Sequence, residues 1–221
     1  MAIVELILPE LKPDQASLEE LVRNWPQSMA KLTNPNPGFL HAFHGWVLTE
    51  DGRNVRDENR KIILFEWDKL ESFTAFIKTS RVRDFAKSVG HLFTGPPIPQ
   101  VFQTNISTED AARALSLDIF RLQVQSLEAA ASAIRIWEGI SSHLKKQHGE
   151  DVIVSYGRSQ NLEDELVVGF IAWQRPESAV SQDAKLDAMW TQLRSAGELS
   201  CINVSLEEMS IPPVGSTAVE P

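Results

Sequence analysis

Residues 62–72 read Ile-Ile-Leu-Phe-Glu-Trp-Asp-Lys-Leu-Glu-Ser, and residues 168–178 read Val-Gly-Phe-Ile-Ala-Trp-Gln-Arg-Pro-Glu-Ser. Each is an apolar run that ends at a tryptophan, Trp67 or Trp173. Glu-Ser follows four and five residues later, as Glu71-Ser72 and Glu177-Ser178. The two stretches lie 106 positions apart in a chain of 221 residues. An offset of about half the chain predicts one unit written twice, and such a repeat decides the architecture before any local signal does.

Upstream of the first stretch, Ala2 to Leu8 reads as a strand. A capping box at Ser17-Leu18-Glu19-Glu20 predicts a helix start, with Leu18, Leu21, Val22, Trp25, Met29 and Leu32 at helical spacing. Pro26 is expected to kink that helix near Arg23 or to start its second half. Phe39 to Leu48 and Lys61 to Trp67 read as paired strands around a charged turn. Ser72 to Ile77 and Arg81 to Phe93 read as helical pieces, stopped by Gly95-Pro96-Pro97. Gln100 to Ile106 is a fourth strand. The order is strand, helix, strand, strand, helix, strand, which is the split βαβ, or ferredoxin-like, unit. Its right-handed crossovers put both helices on one face of a four-stranded antiparallel sheet.

Residues 115–210 repeat that order, with strands at 115–124, 151–159, 165–173 and 199–209 and helices at 126–148 and 183–196. The expectation is an α+β chain of two tandem ferredoxin-like βαββαβ repeats, residues 1–107 and 115–210. A linker at 108–114 joins them, with Ser107 able to cap a helical turn, and 211–221 is a flexible tail.

Composition narrows the function classes. Hydrophobic residues are 43% and charged residues 23%, ordinary for a globular protein. The net charge of −9 lacks the basic footprint that nucleic acid or an anionic membrane requires. The single cysteine, Cys201, rules out disulfide stapling within the chain and fits a reducing compartment. No secretory leader pattern opens the chain, and no run of 18 apolar residues predicts a spanning helix. A cytoplasmic protein is expected. Zinc spacing, a dinucleotide fingerprint, a P-loop and a nucleophile elbow are all missing from the sequence.

The stretch from Lys61 to Phe102 carries a resemblance. Lys61-Ile-Ile-Leu-Phe-Glu-Trp67, Ser72-Phe73, Phe76, Ser80-x-x-x-x-Phe85, Gly95-Pro96-Pro97 and Val101-Phe102 follow one another as in the antibiotic biosynthesis monooxygenase-like family of the dimeric α+β barrel superfamily. The second half is similar through Trp173, Glu177 and Ser178. The resemblance implies a barrel that such families build from two chains and this one builds from two repeats, as a monomeric pseudo-dimer or a further homodimer. It implies a small apolar or aromatic substrate and oxygenation of an aromatic or polyketide-like compound with no metal or flavin. A non-redox cyclase or isomerase in the same pocket and a non-catalytic ligand-binding module are the alternatives. Relatives that degrade haem carry a helical Trp and His, and those places fall near Phe76 and Lys87 here, so the axial ligand is missing.

Candidate catalytic bases are His44, His91 and His41, because an imidazole near pH 7 suits removal of a proton from a phenol or an acidic C–H. His41 and His44 are an odd number of residues apart, so a regular strand turns them to opposite faces, His44 with Ala42 and Trp46. His91 sits near a helix C-terminus. Trp25 and Trp46 have no counterpart in the second half, which marks them as candidate pocket walls together with Trp67 and Phe76. Tyr156, the only tyrosine, is a candidate hydrogen-bond donor.

Overall fold

The computed structural model describes residues 1–33, 36–161, 165–175 and 183–210. In chain order these form β1 (Ala2–Ile7), α1 (Gln15–Thr33), β2 (Phe39–Glu50), β3 (Arg53–Asn54), β4 (Lys61–Trp67), α2 (Leu70–Phe76), α3 (Ser80–Val89) and β5 (Gln100–Thr104). There follow α4 (Glu109–Ala112), β6 (Ser116–Val124), α5 (Leu127–His148), β7 (Val152–Ser159), β8 (Glu165–Trp173), α6 (Ala184–Ala196) and β9 (Gly197–Glu208). Glu177, Ser178 and residues 211–221, on which part of the sequence reading rests, lie outside the described residues.

Strand pairing is antiparallel throughout, in the order β3-β2-β4-β1-β5-β7-β8-β6-β9, and β2 pairs again with β9. Eight strands therefore close into a barrel, with the two-residue β3 an extension of the β2 hairpin. Closure removes the unpaired edges that an open antiparallel sheet would expose. In β2-β4-β1-β5 and in β7-β8-β6-β9 the first strand of each group lies between its third and its fourth. The groups join at β5 with β7 and at β2 with β9.

The two-residue period of a strand sorts side chains between two environments. Val4 and Leu6 of β1 point into the barrel, where they meet Phe43, Leu64, Phe102, Ile119, Val168 and Phe170 from both halves. Ile3 and Ile7 point outward, under α1, α2 and α3. The outer face of the second half lies under α5 and α6. The barrel is thus a filled core, and any room for a ligand must be sought on its outer faces. Residues 108–114 do more than connect: α4 lies across one barrel end with Ala111 and Ala112 buried. Glu66 Oε2 holds it there, accepting from the Thr108 amide (2.9 Å), the Thr108 hydroxyl (3.1 Å) and the Ser107 hydroxyl (3.0 Å).

One local expectation is corrected. Asp14, rather than Ser17, caps α1, its carboxylate accepting from both the amide and the hydroxyl of Ser17 at 2.8 Å. The carboxylate outcompetes the hydroxyl because it accepts two bonds and carries charge toward the helix N-terminus. Pro26 lies inside α1, which spans Gln15–Thr33 as one helix.

Candidate functional site

β1 is Ala-Ile-Val-Glu-Leu-Ile, and its one polar residue, Glu5, is 3% exposed. Parity places Glu5 with Ile3 and Ile7 on the outer, helix-covered face, opposite Phe65 of β4. Its Oε2 accepts from the indole nitrogen of Trp67 at 2.9 Å. Among the described residues nothing donates to Oε1. Burial in this apolar setting pushes the Glu5 carboxyl up to about 8, and the Trp67 bond only partly opposes it. Ionisation is disfavoured because the charged form loses its hydration and gains one neutral donor in exchange. At neutral pH Glu5 is mostly an uncharged acid.

Glu5 faces a cavity of about 480 Å³ between the outer sheet face and α2, α3 and the turn that follows. Its floor and walls are Phe65, Phe76, Val82, Phe85, Val89 and Phe93, and its rim is Gly95, Pro96 and Pro97. Glu5 and Thr94 supply the polar side chains of the lining, and the Thr94 hydroxyl is turned to Glu10. The lining residues include no Lys, Arg or His. A mainly apolar hollow of this size with one convergent polar group has the build of a small-molecule site. Trp67 is fully buried behind it, edge-on to Phe39 at 4.8 Å and tilted on Phe76 at 5.1 Å. That packing fixes the indole that orients Glu5.

The expected site residues fall in separate places. Phe76 lines this cavity, and Trp67 lies buried behind it, bonded to Glu5. Trp25 of α1 stands behind its wall, edge-on to Phe85 at 6.4 Å and to His44 at 5.8 Å. His44 shares the outer face of β2 with Ala42 and Trp46 and accepts at Nδ1 from Lys61 Nζ at 3.0 Å. The Lys61 ammonium lies 4.7 Å from the Trp25 ring centre and 4.3 Å from that of Trp46, a cation between two aromatic faces. Burial first, then the Lys61 charge, lowers His44 to about 4. Burial likewise lowers Lys61 to about 8. His44 at neutral pH is therefore an uncharged acceptor satisfied by Lys61, and a weak base.

His91 is exposed and ion-paired with Glu20 at 2.8 Å, in the turn after α3 and outside the lining. His41 lies opposite Glu66 at the α4 end of the barrel and meets Glu109 at 3.0 Å. Tyr156 stands in the second half, in an open groove at the β5–β7 joint with Gln103, Glu138 and Arg158. Burial and the Glu138 charge raise its phenol. The sequence signal for Glu5 is a lone acid in an otherwise apolar strand, in phase with Ile3 and Ile7 on the outer, helix-covered face. Phe76, at the place of the haem-branch Trp, is in the cavity wall, and Lys87 is exposed. With no imidazole or thiolate in the lining, these residues do not fit a haem iron.

The fold has known counterparts. An anthrone oxidase-like protein superposes with a TM-score of 0.67 at 11% identity, covering 99% of this chain and 97% of that one. A candidate monooxygenase from Fusobacterium nucleatum gives 0.60 at 12% identity, covering 95% and 94%. Another from Lactobacillus acidophilus gives 0.57 at 10% identity, covering 95% and 96%. No family model matches the chain, and no curated protein matches it in sequence. At these identities the likeness is one of fold: an antiparallel α+β barrel of the kind found in proteins named as monooxygenases. Among the described residues no helix is long and apolar enough to cross a membrane.

Proposed function

We propose that the chain is a small-molecule enzyme, a cofactor-independent oxygenase of an aromatic or polyketide-like substrate, with its site in the first-half cavity. In this reading two tandem ferredoxin-like repeats, residues 1–107 and 115–210 joined by 108–114, replace the two subunits of a dimeric barrel. The first repeat keeps the pocket. The enzyme belongs to secondary metabolism in the cytoplasm, and the single cysteine suits that compartment. The neighbours' names, one of them anthrone oxidase-like, favour a flat, electron-rich substrate with an acidic C–H or phenol.

The observation that carries this reading is Glu5, an acid kept uncharged inside an apolar cavity. Its ionised fraction near pH 8 is a strong base for a carboxylate, held at the right place and free of competing water. Glu5 Oε1 takes the substrate proton, and the electron pair stays on the substrate as a delocalised carbanion or phenolate. Dioxygen takes up that electron pair at carbon as a peroxide, Glu5 returns the proton to give the hydroperoxide, and loss of water with the remaining C–H hydrogen leaves a carbonyl, so one oxygen atom enters the substrate and the other leaves as water. Trp67 keeps Oε2 fixed while Oε1 works, and Phe65, Phe76 and Phe85 hold the rings. His44 and Trp25 support the wall from behind.

The test is oxygen uptake with anthrone-type and hydroxynaphthalene substrates. Uptake that rises with pH through about 8 and falls at least 100-fold in Glu5→Gln is expected, in line with loss of a general base. Uptake unaffected by Glu5→Gln refutes the site. Because an uncharged acid also suits proton transfer alone, the non-redox isomerase is the second reading. It predicts deuterium exchange into substrate without oxygen consumption.

A further inference from the structure

The chemistry of the cavity lining goes further than a reaction class. It deepens the reading above by naming what enters the site. Charge is missing from the walls on every side. β4 contributes Phe65, α1 contributes Leu32, α2 contributes Phe76, and α3 contributes Val82, Phe85 and Val89. Of the charged residues of α3, Arg83, Asp84 and Lys87 are exposed and Arg81 is half-buried, and all four lie outside the lining. Glu5 is the one titratable group that faces the hollow, and Trp67 at its back is a neutral donor.

An anionic ligand entering here would lose its hydration and meet no cation or free donor except the Glu5 proton. A ligand without any oxygen would leave the buried acid proton of Glu5 unsatisfied. A carbonyl oxygen at one end of a flat apolar body satisfies both constraints. It accepts from Oε1 while the rings lie against the phenylalanines.

We propose that the Glu5 cavity is a receptor for uncharged, flat, mainly apolar molecules with a carbonyl oxygen at one end, ketones or quinones, and that it excludes carboxylates and other anions. The acid proton of Glu5 is the recognition element. Tight binding therefore uses Glu5 in its protonated form and weakens as Glu5 ionises, while turnover at limiting substrate draws on the ionised fraction.

Three naphthalenes of similar size test this by calorimetric titration of the full chain: 2-acetylnaphthalene, 2-ethylnaphthalene and 2-naphthoate. At pH 6.5 the ketone is expected to bind about tenfold more tightly than the hydrocarbon, the worth of one hydrogen bond. Naphthoate should bind at least roughly 100-fold more weakly than the ketone. At pH 9.5 the ketone affinity of the native chain should drop roughly 30-fold, since a midpoint about 8 leaves only a few per cent of the competent form. Glu5→Gln, whose amide still donates, should bind the ketone equally at both pH values.

Naphthoate binding on a par with the ketone overturns the proposal. So does a ketone affinity in the native chain that is the same at pH 6.5 and 9.5, a result that depends on no variant. Ketone binding with this pH profile but no oxygen uptake sinks the oxygenase and leaves the receptor. Oxygen uptake together with tight naphthoate binding does the reverse.

Discussion

The outer faces of the two halves share a strand order and differ in what fills them. Trp67 pairs with Ile3 and Trp173 with Ser116. Two residues further along each first strand stand Glu5 and Asp118, both carboxylates raised by burial. Glu5 looks into an open hollow and is bonded by Trp67. Asp118 is half-buried and accepts from the Asn203 amide of the neighbouring strand at 2.8 Å. Ile63 of β4 corresponds in register to Gly169 of β8, opposite Ile7 and Phe120. The missing side chain at Gly169 lets Trp137 of α5 lie flat on the strand, where an added Cβ would come within 2.1 Å of its ring. Phe120 stacks on Trp190 at 4.7 Å, and Trp137 meets Trp190 edge-on at 5.5 Å. Over the second half three large rings occupy the room that, over the first, is walled by four phenylalanines and left open. One face is filled, and the other keeps the hollow proposed to take a guest.

Trp137→Ala makes the sharpest break in this contrast. Removing a fully buried indole should cost roughly 3–5 kcal/mol in denaturant unfolding, while ketone binding in the first half persists. Phe76→Ala, which only enlarges an existing hollow, should cost about 2 kcal/mol and weaken binding.

The paired carboxylates come next. A folded-state value for Glu5 about 8, above the unfolded value near 4.5, means the folded chain holds the extra proton. Its contribution is full below about 4.5 and is lost as pH rises through about 8. Glu5→Gln should therefore match the native chain at pH 4 and exceed it at pH 9 by on the order of 3–5 kcal/mol, read from paired urea melts. Asp118→Asn should shift stability with the same sign and a smaller size, because Asp118 is bonded by Asn203 and only half-buried. An equal effect at the two sites would erase the distinction between the faces.

Gly169→Ala is a smaller probe. Overpacking against Trp137 should cost about 1–3 kcal/mol in the same melts. The mildest test concerns the wall behind the cavity. Burial is the larger cause of the lowered His44 midpoint and the Lys61 charge the smaller, so Lys61→Met should raise that midpoint, about 4 in the native chain, only part of the way back in an NMR titration. A midpoint unchanged in that variant would leave burial as the sole cause.

Much of this contrast was open to reading in the residues, and the rest was not. Trp67 and Trp173 each close an apolar strand and stand opposite the early residues Ile3 and Ser116 of the two first strands, a correspondence legible because strand ends are set by local pattern. The opposite facing of His41 and His44 followed from parity and holds, with His41 across from Glu66 and His44 beside Trp46. The chemistry of His44 did not follow, since Lys61 lies 17 residues away and reaches it only through the pairing of β2 with β4. Glu5 is masked by the apolar strand around it; an acid on the outer face of a barrel strand is a signal only once helices are known to cover that face. His91 promised a base near a helix end and is taken up by Glu20, a contact between α1 and the turn after α3 that no local pattern encodes.

The most direct measurement is the titration of the side-chain carboxyl carbon of Glu5 in ¹³C-glutamate-labelled protein, identified by its loss in Glu5→Gln. A midpoint near 8, shifting higher when 2-acetylnaphthalene is bound, is the predicted result. A midpoint at the ordinary carboxylate value near 4.5, unmoved by the ketone, would mean that the cavity is wet, that Glu5 is an ordinary surface-like acid, and that the first-half face is no site.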